Sequence, residues 1–120
     1  MEGYTLNYYI DSRTGEKPAQ KFIKSLPQKA QLKIFKYLKF LQAHNGYLDE
    51  PYSRHIFGKI RELRVDFGKN KHRIFYFTFV KKNIMFLHAF LKTTQKTPVR
   101  EIKKAEDLYY HIINNQNAYE

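Results

Sequence analysis

Between Lys59 and Pro98 the chain reads KIRELRVDFGKNKHRIFYFTFVKKNIMFLHAFLKTTQKTP, three strand-type segments joined by very short connections. Parallel neighbours need a crossover of about a dozen residues or more, so connections this short confine the segments to an antiparallel meander. In the first, Ile60 to Phe67, Leu63, Val65 and Phe67 alternate with Glu62, Arg64 and Asp66. Gly68 to Lys71 forms the turn into a second strand, His72 to Val80, which is almost wholly aromatic or β-branched. Lys81-Lys82-Asn83 turns the chain again, and Ile84 to Leu91, apolar on both faces, reads as a central strand.

The remaining segments supply layers to cover this sheet. Tyr4 to Ile10 alternates as a strand and Asp11 to Gly15 as a turn. Ala19, Phe22, Ile23 and Leu26 predict a helix over Pro18 to Ser25. Pro27 suits the first turn of a second helix running to about Ala43, with Ala30, Ile34, Phe35, Leu38 and Leu41 as its apolar stripe. Lys29, Lys33, Lys36 and Lys39 fall on its other faces and read as solvated surface. Asn45-Gly46 fits a helix C-cap, and Asn45 to Gly58 reads as irregular. Thr97 can cap and Pro98 open a last helix carrying Ile102, Ala105, Tyr109, Ile112 and Ile113, with residues 114–120 as a fraying tail. The expectation is one α+β domain over residues 1–120, β-α-α-β-β-β-α, built on a small antiparallel sheet. The helical hairpin covers one face and the last helix part of the other.

Charge narrows the partners. Twenty-two Lys and Arg against 11 Asp and Glu leave a formal +11, a field that favours encounter with anions. Nucleic acid, an acidic protein and an anionic membrane all qualify; many aromatics in a compact basic domain point to nucleic acid. No apolar run reaches the ~20 residues of a membrane span, and Met1 to Ile10 does not read as a secretory signal. Cysteine is absent, which excludes disulfide and thiolate chemistry and suits the cytoplasm. His44, His55, His72, His88 and His111 show no metal-ligand spacing, so neither metal nor cofactor is expected.

Side chains alternate across a strand, so the cations can be phased. If Leu63, Ile74 and Leu87 face the helical hairpin, then Arg64, Arg73, His88 and Lys92 face the other way, around Phe90. His88 shares its face with Phe86, Phe90 and Lys92 in this phasing. Such a cluster suits metal-free RNA cleavage, in which the 2′-hydroxyl attacks the neighbouring phosphate. Arginine grips phosphate oxygens. Lysine transfers protons if crowding lowers its pKa, and histidine can serve either way. Exposed Phe or Tyr rings stack on splayed bases. Plainer readings stand beside these. Arg64 can pair with Glu62 or Asp66, and His88 can be a hydrogen-bonded core residue. Phe75, Phe77 and Phe79 can be core under the last helix. Lys71 and Lys96 can be turn charges or backbone-phosphate contacts. Lys59 and Arg61, at the entry to the first strand, join Lys71, Phe90 and Lys96 as candidate RNA contacts.

In order and spacing, Glu62-Leu63-Arg64, His72-Arg73, His88 to Pro98 and Glu101 to Ala105 resemble the RelE/ParE superfamily of type II toxins, in its HigB-like, phage-derived branch. The resemblance spans about Tyr4 to Ile113. It implies a small sheet wrapped by helices and a ribosome-dependent mRNA endonuclease that inhibits translation. Its implied partners are the ribosome, mRNA and an antitoxin, in this branch often of helix-turn-helix type. By position it makes Arg64, Arg73 and Lys92 the phosphate-binding and catalytic cations, beside Phe90. Thr97 to Arg100 lacks the tyrosine or histidine that several RelE-type nucleases carry there, which leaves the base to Lys92, Lys96 or His88. A ParE-like gyrase inhibitor and an inactive prophage remnant that binds nucleic acid or antitoxin are the alternatives, since one fold serves all three.

Overall fold

Two Phe-Gly-Lys turns fold the middle of the chain into consecutive hairpins. Phe57 pairs with Ile60 and Phe67 with Asn70, and each gap is bridged by a Gly-Lys dipeptide. Gly58 and Gly68 sit at φ 52° and 61°, where a side chain would be strained. The computed structural model describes residues 3–79 and 82–116. It comprises β1 (Thr5–Tyr8), α1 (Pro18–Lys24), α2 (Gln28–Ala43), β2 (Ser53–Phe57), β3 (Ile60–Phe67), β4 (Asn70–Phe79), β5 (Asn83–Lys92) and α3 (Val99–Asn114). The expectations for Val80, for Lys81 and for the tail beyond Gln116 fall outside the described residues.

Among the described residues the sheet has five strands in the order β1-β5-β4-β3-β2. The meander is antiparallel as expected, but β1 runs parallel to β5, so the sheet is mixed. The helices and the intervening strands give β1 ample chain for that return. A second departure is β2, which occupies a segment read as irregular. Ser53-Arg54-His55 pairs with Leu63-Glu62-Arg61, and the strand shifts register before Phe57.

The α1–α2 hairpin covers one face. Ile23, Ile34, Leu38 and Leu41 pack there on Leu63, Val65, Ile74, Tyr76, Ile84 and Phe86. The α3 helix covers part of the other, where Ala105 and Ile112 join Phe75, Phe77, Met85, Leu87 and Phe90. Phe75, Phe77 and Phe79 are thus core, all under 5% exposed. The phasing needs one correction. Phe75 pairs with His88 but Tyr76 with Phe86, so Leu87 is an extra, unopposed residue. This bulge puts Leu87 beside α3 rather than under the helical hairpin, and sends Phe86 to the hairpin face. It also restores His88, Phe90 and Lys92 to the face of Arg64 and Arg73, by their pairing with Phe75, Arg73 and Lys71.

The α2 C-terminus closes as Asn45-Gly46 suggested. Asn45 and Gly46 take φ 59° and 83°, and the Gly46 N–H donates to the Leu41 carbonyl at 2.8 Å, the Schellman pattern. A Cβ on Gly46 would lie 2.4 Å from Thr78 Oγ1. At the other end, Thr97 does not cap α3. The N-cap is Pro98, and the Thr97 hydroxyl donates instead to Glu62 Oε2 at 2.6 Å, tying the 93–97 loop to β3. Among the described residues no helix is long and apolar enough to cross a membrane.

Candidate nucleic-acid interface

Register brings Arg64 opposite Arg73, Arg73 opposite Phe90, and Lys71 opposite Lys92, so three adjacent strands place their cations side by side. Like charges directly opposite one another destabilise a sheet unless carboxylates intervene. Two do. Glu62 Oε1 lies 3.7 Å from Arg64 Nε, and Asp66 Oδ1 accepts from an Arg73 guanidinium N–H at 2.7 Å. Burial alone would raise the Asp66 pKa, but the hydrogen bond and charge of Arg73, with Lys71 and Arg64, outweigh it and hold it low. Among the described residues Lys92 makes no comparable ion pair. It is 9% exposed, and burial pushes its ammonium pKa down; Arg73 adds to this, Glu62 opposes it, and Arg64 and Lys71 add further.

Of these groups, Glu62, Arg64 and Lys92 border a cleft of about 480 Å³ between β2, β3, the end of β5, the 93–97 loop and the start of α3. Arg54, Glu62, Arg64, Lys92, Lys96 and Thr97 are in its wall. It joins two of the expected catalytic cations, Arg64 and Lys92, with one expected RNA contact, Lys96. Lys71 lies in an adjoining cleft that shares Lys92, and Arg73 in a third, on the other side of Arg64.

Four expected residues take other roles. His88 is a core histidine: Nε2 is 2.9 Å from Glu101 Oε1 on α3, and the ring stacks on Phe90 at 5.6 Å. Burial lowers its pKa, and the Glu101 hydrogen bond opposes that. Phe90 is 7% exposed, wedged between His88 and Phe75, and has no free face for a base. Arg61 points to the opposite face, where its Nε donates to Ser53 Oγ at 2.9 Å and its guanidinium lies 4.7 Å from the Tyr47 ring centroid. Lys59 is exposed in the β2–β3 turn and borders none of the three clefts.

Sequence reasoning missed Arg54, Glu62 and Thr97 as lining residues. Arg54 pairs with Glu62 on the missed strand β2, and Phe57-Gly58-Lys59 was the available signal for that strand. Among the described residues no cluster of three or more histidine and carboxylate groups could hold a metal ion. Chemically, the cleft offers several cations for a phosphodiester, one with a lowered pKa, and a single buried carboxylate as a hydrogen-bond acceptor.

Residues 21–110 match the family described as phage derived protein Gp49-like (DUF891). The chain belongs to that family. A free-state mutant of the E. coli toxin RelE, with two arginines changed to alanine, superposes with a TM-score of 0.58 at 14% identity, covering 88% of this chain and 97% of that one. A chain of the archaeal RelE–RelB complex from Pyrococcus horikoshii OT3 gives a TM-score of 0.45 at 18% identity, covering 75% of this chain and 96% of that one. Comparison with curated proteins found no match. The RelE-type architecture expected from the sequence is borne out at the level of the fold.

Proposed function

We propose that the chain is the toxin of a type II toxin–antitoxin pair, of the HigB-like branch, and that it cuts ribosome-bound mRNA in the cytoplasm. The observation that carries this reading is the shared cleft of Arg64 and Lys92, with Lys96 at its rim and a lowered pKa on the lysine. Arg64 grips the non-bridging oxygens of the scissile phosphate. The 2′-hydroxyl gives up its proton to solvent water as its oxygen attacks phosphorus, the P–O5′ bond breaks, and a 2′,3′-cyclic phosphate remains. A lysine with a lowered pKa is a stronger acid than a free one, so Lys92 is suited to protonate the leaving 5′-oxygen. Arg73 supports the charge from behind Arg64. The partner is an antitoxin, helix-turn-helix by family resemblance, that denies mRNA the basic cleft.

A second reading, a member that binds its target without cutting, has its own support. Arg73 is already tied to Asp66, His88 to Glu101, and Thr97 to Arg100 offers no tyrosine or histidine as base. Primer extension on abundant transcripts after induction separates the two. Codon-phased cuts that vanish in Arg64→Ala and Lys92→Ala support cleavage. Growth arrest with intact mRNA and altered plasmid supercoiling would instead mark a gyrase inhibitor, and absence of toxicity an inactive remnant.

A further inference from the structure

The cleft on the far side of Arg64 holds chemistry the cleavage reading leaves unused. It measures about 280 Å³ and is bordered by Lys33, Tyr37, Tyr52, Arg64, Asp66 and Arg73. Tyr37 and Tyr52 form an edge-to-face pair at 5.9 Å, and Tyr52 is 49% exposed. The Lys33 ammonium, held by the Asp66 carbonyl, lies 6.0 Å from the Tyr37 centroid. Arg73 is 2% exposed, and its Nε is a buried donor with no hydrogen-bond partner. An open aromatic ring flanked by cations and an unsatisfied donor is the combination that binds single-stranded nucleic acid, ring on base and cation on phosphate. Asp66 gives the cleft a direction: its carboxylate repels a phosphate and can accept from a base amino group, so the phosphate belongs at the Arg64 end. Arg64 borders both clefts, and one guanidinium can hold the phosphate that joins their occupants.

We propose that this second cleft seats the base of the RNA nucleotide adjoining the phosphate held by Arg64, stacked on Tyr52. The seat rests on the RNA reading of the neighbouring cleft, but base stacking can be tested without cleavage. The probe is a fluorescently labelled 2′-O-methyl RNA hexamer, which lacks the attacking hydroxyl, followed by anisotropy. Tyr52→Ala should weaken binding about tenfold or more, and Tyr52→Phe should stay near wild type, since stacking needs the ring and not the hydroxyl. An abasic hexamer should bind wild type and Tyr52→Ala alike. The half-exposed ring makes a folded alanine variant expected, and matching far-UV spectra and melting temperatures verify it. Wild-type affinity in Tyr52→Ala, or no hexamer binding by wild type, overturns the proposal. Tyr52-dependent binding in a protein that yields no codon-phased cuts in cells would uphold the base seat and sink the nuclease reading.

Discussion

Replacing Lys92 with methionine should make the protein more stable at neutral pH while removing a cation of the cleft. Lys92 is 9% exposed, with Arg73, Arg64 and Lys71 acting against its charge and Glu62 alone supporting it. Methionine fills a similar volume and leaves behind no unpaired charge. Relief of such charge strain is worth about 1 kcal/mol, or about 4 °C in melting temperature for a domain of this size. The gain must depend on pH. Burial, then Arg73, holds the Lys92 pKa below its ordinary value, so the folded protein binds this proton less tightly than the unfolded chain. Between the two values the unfolded chain carries more protons, and wild-type stability climbs with pH. The advantage of Lys92→Met is therefore full at pH 7 and shrinks toward about pH 10.4, the free lysine value. Buried tyrosines such as Tyr8 and Tyr76, whose pKa values burial raises, titrate in both proteins and cancel in the difference. Urea unfolding followed by far-UV circular dichroism at pH 7 and pH 10 reads both quantities. A variant less stable than wild type at pH 7, or a gap that ignores pH, refutes the reasoning.

His88 and Gly46 test the packing of the fold. Because burial lowers the His88 pKa more than Glu101 restores it, stability is lost as pH falls below about 6.5, and His88→Gln should show a smaller drop in urea midpoint between pH 7 and 5.5. Gly46→Ala combines a φ of 83° with a Cβ 2.4 Å from Thr78 Oγ1 and should cost about 2 kcal/mol in thermal melts. Adding Thr78→Ala should recover the contact but not the backbone strain.

Where the chain obeys local rules it could be read directly. The helices α1, α2 and α3 declared themselves by apolar spacing and by Pro18, Pro27 and Pro98 at or beside their starts. The alternation Leu63-Arg64-Val65 fixed β3, and with it the face of Arg64. What failed was non-local or two-sided. The segment Ser53–Phe57 is an edge strand with exposed Arg54, His55 and Phe57, so burial wrote no alternation into it. The β5 strand is apolar on both faces, and alternation there cannot reveal an inserted residue. The face expected of Lys92 is nonetheless the one observed, because regular alternation resumes at His88, beyond the bulge. The fates of Arg61 and Phe90 turned on partners distant in sequence, Tyr47 and Phe75.

The parallel pairing of β1 with β5 bears on the order of folding. Asn7 Nδ2 meets Asn83 Oδ1 at 2.9 Å across 76 residues, whereas β2 to β5 meet through adjacent hairpins. Local contacts form before distant ones, because closing a long loop sacrifices more chain entropy. The meander can thus assemble early, and β1 docks last on an edge of β5 that waits for it. During synthesis the order is stricter: β1, α1 and α2 emerge first and have no sheet to cover until β5 has left the ribosome. Lys92, the last residue of β5, joins the basic cleft only at that stage, and Lys96 and Thr97 later still, so a nascent chain carries its apolar helices long before its basic cleft.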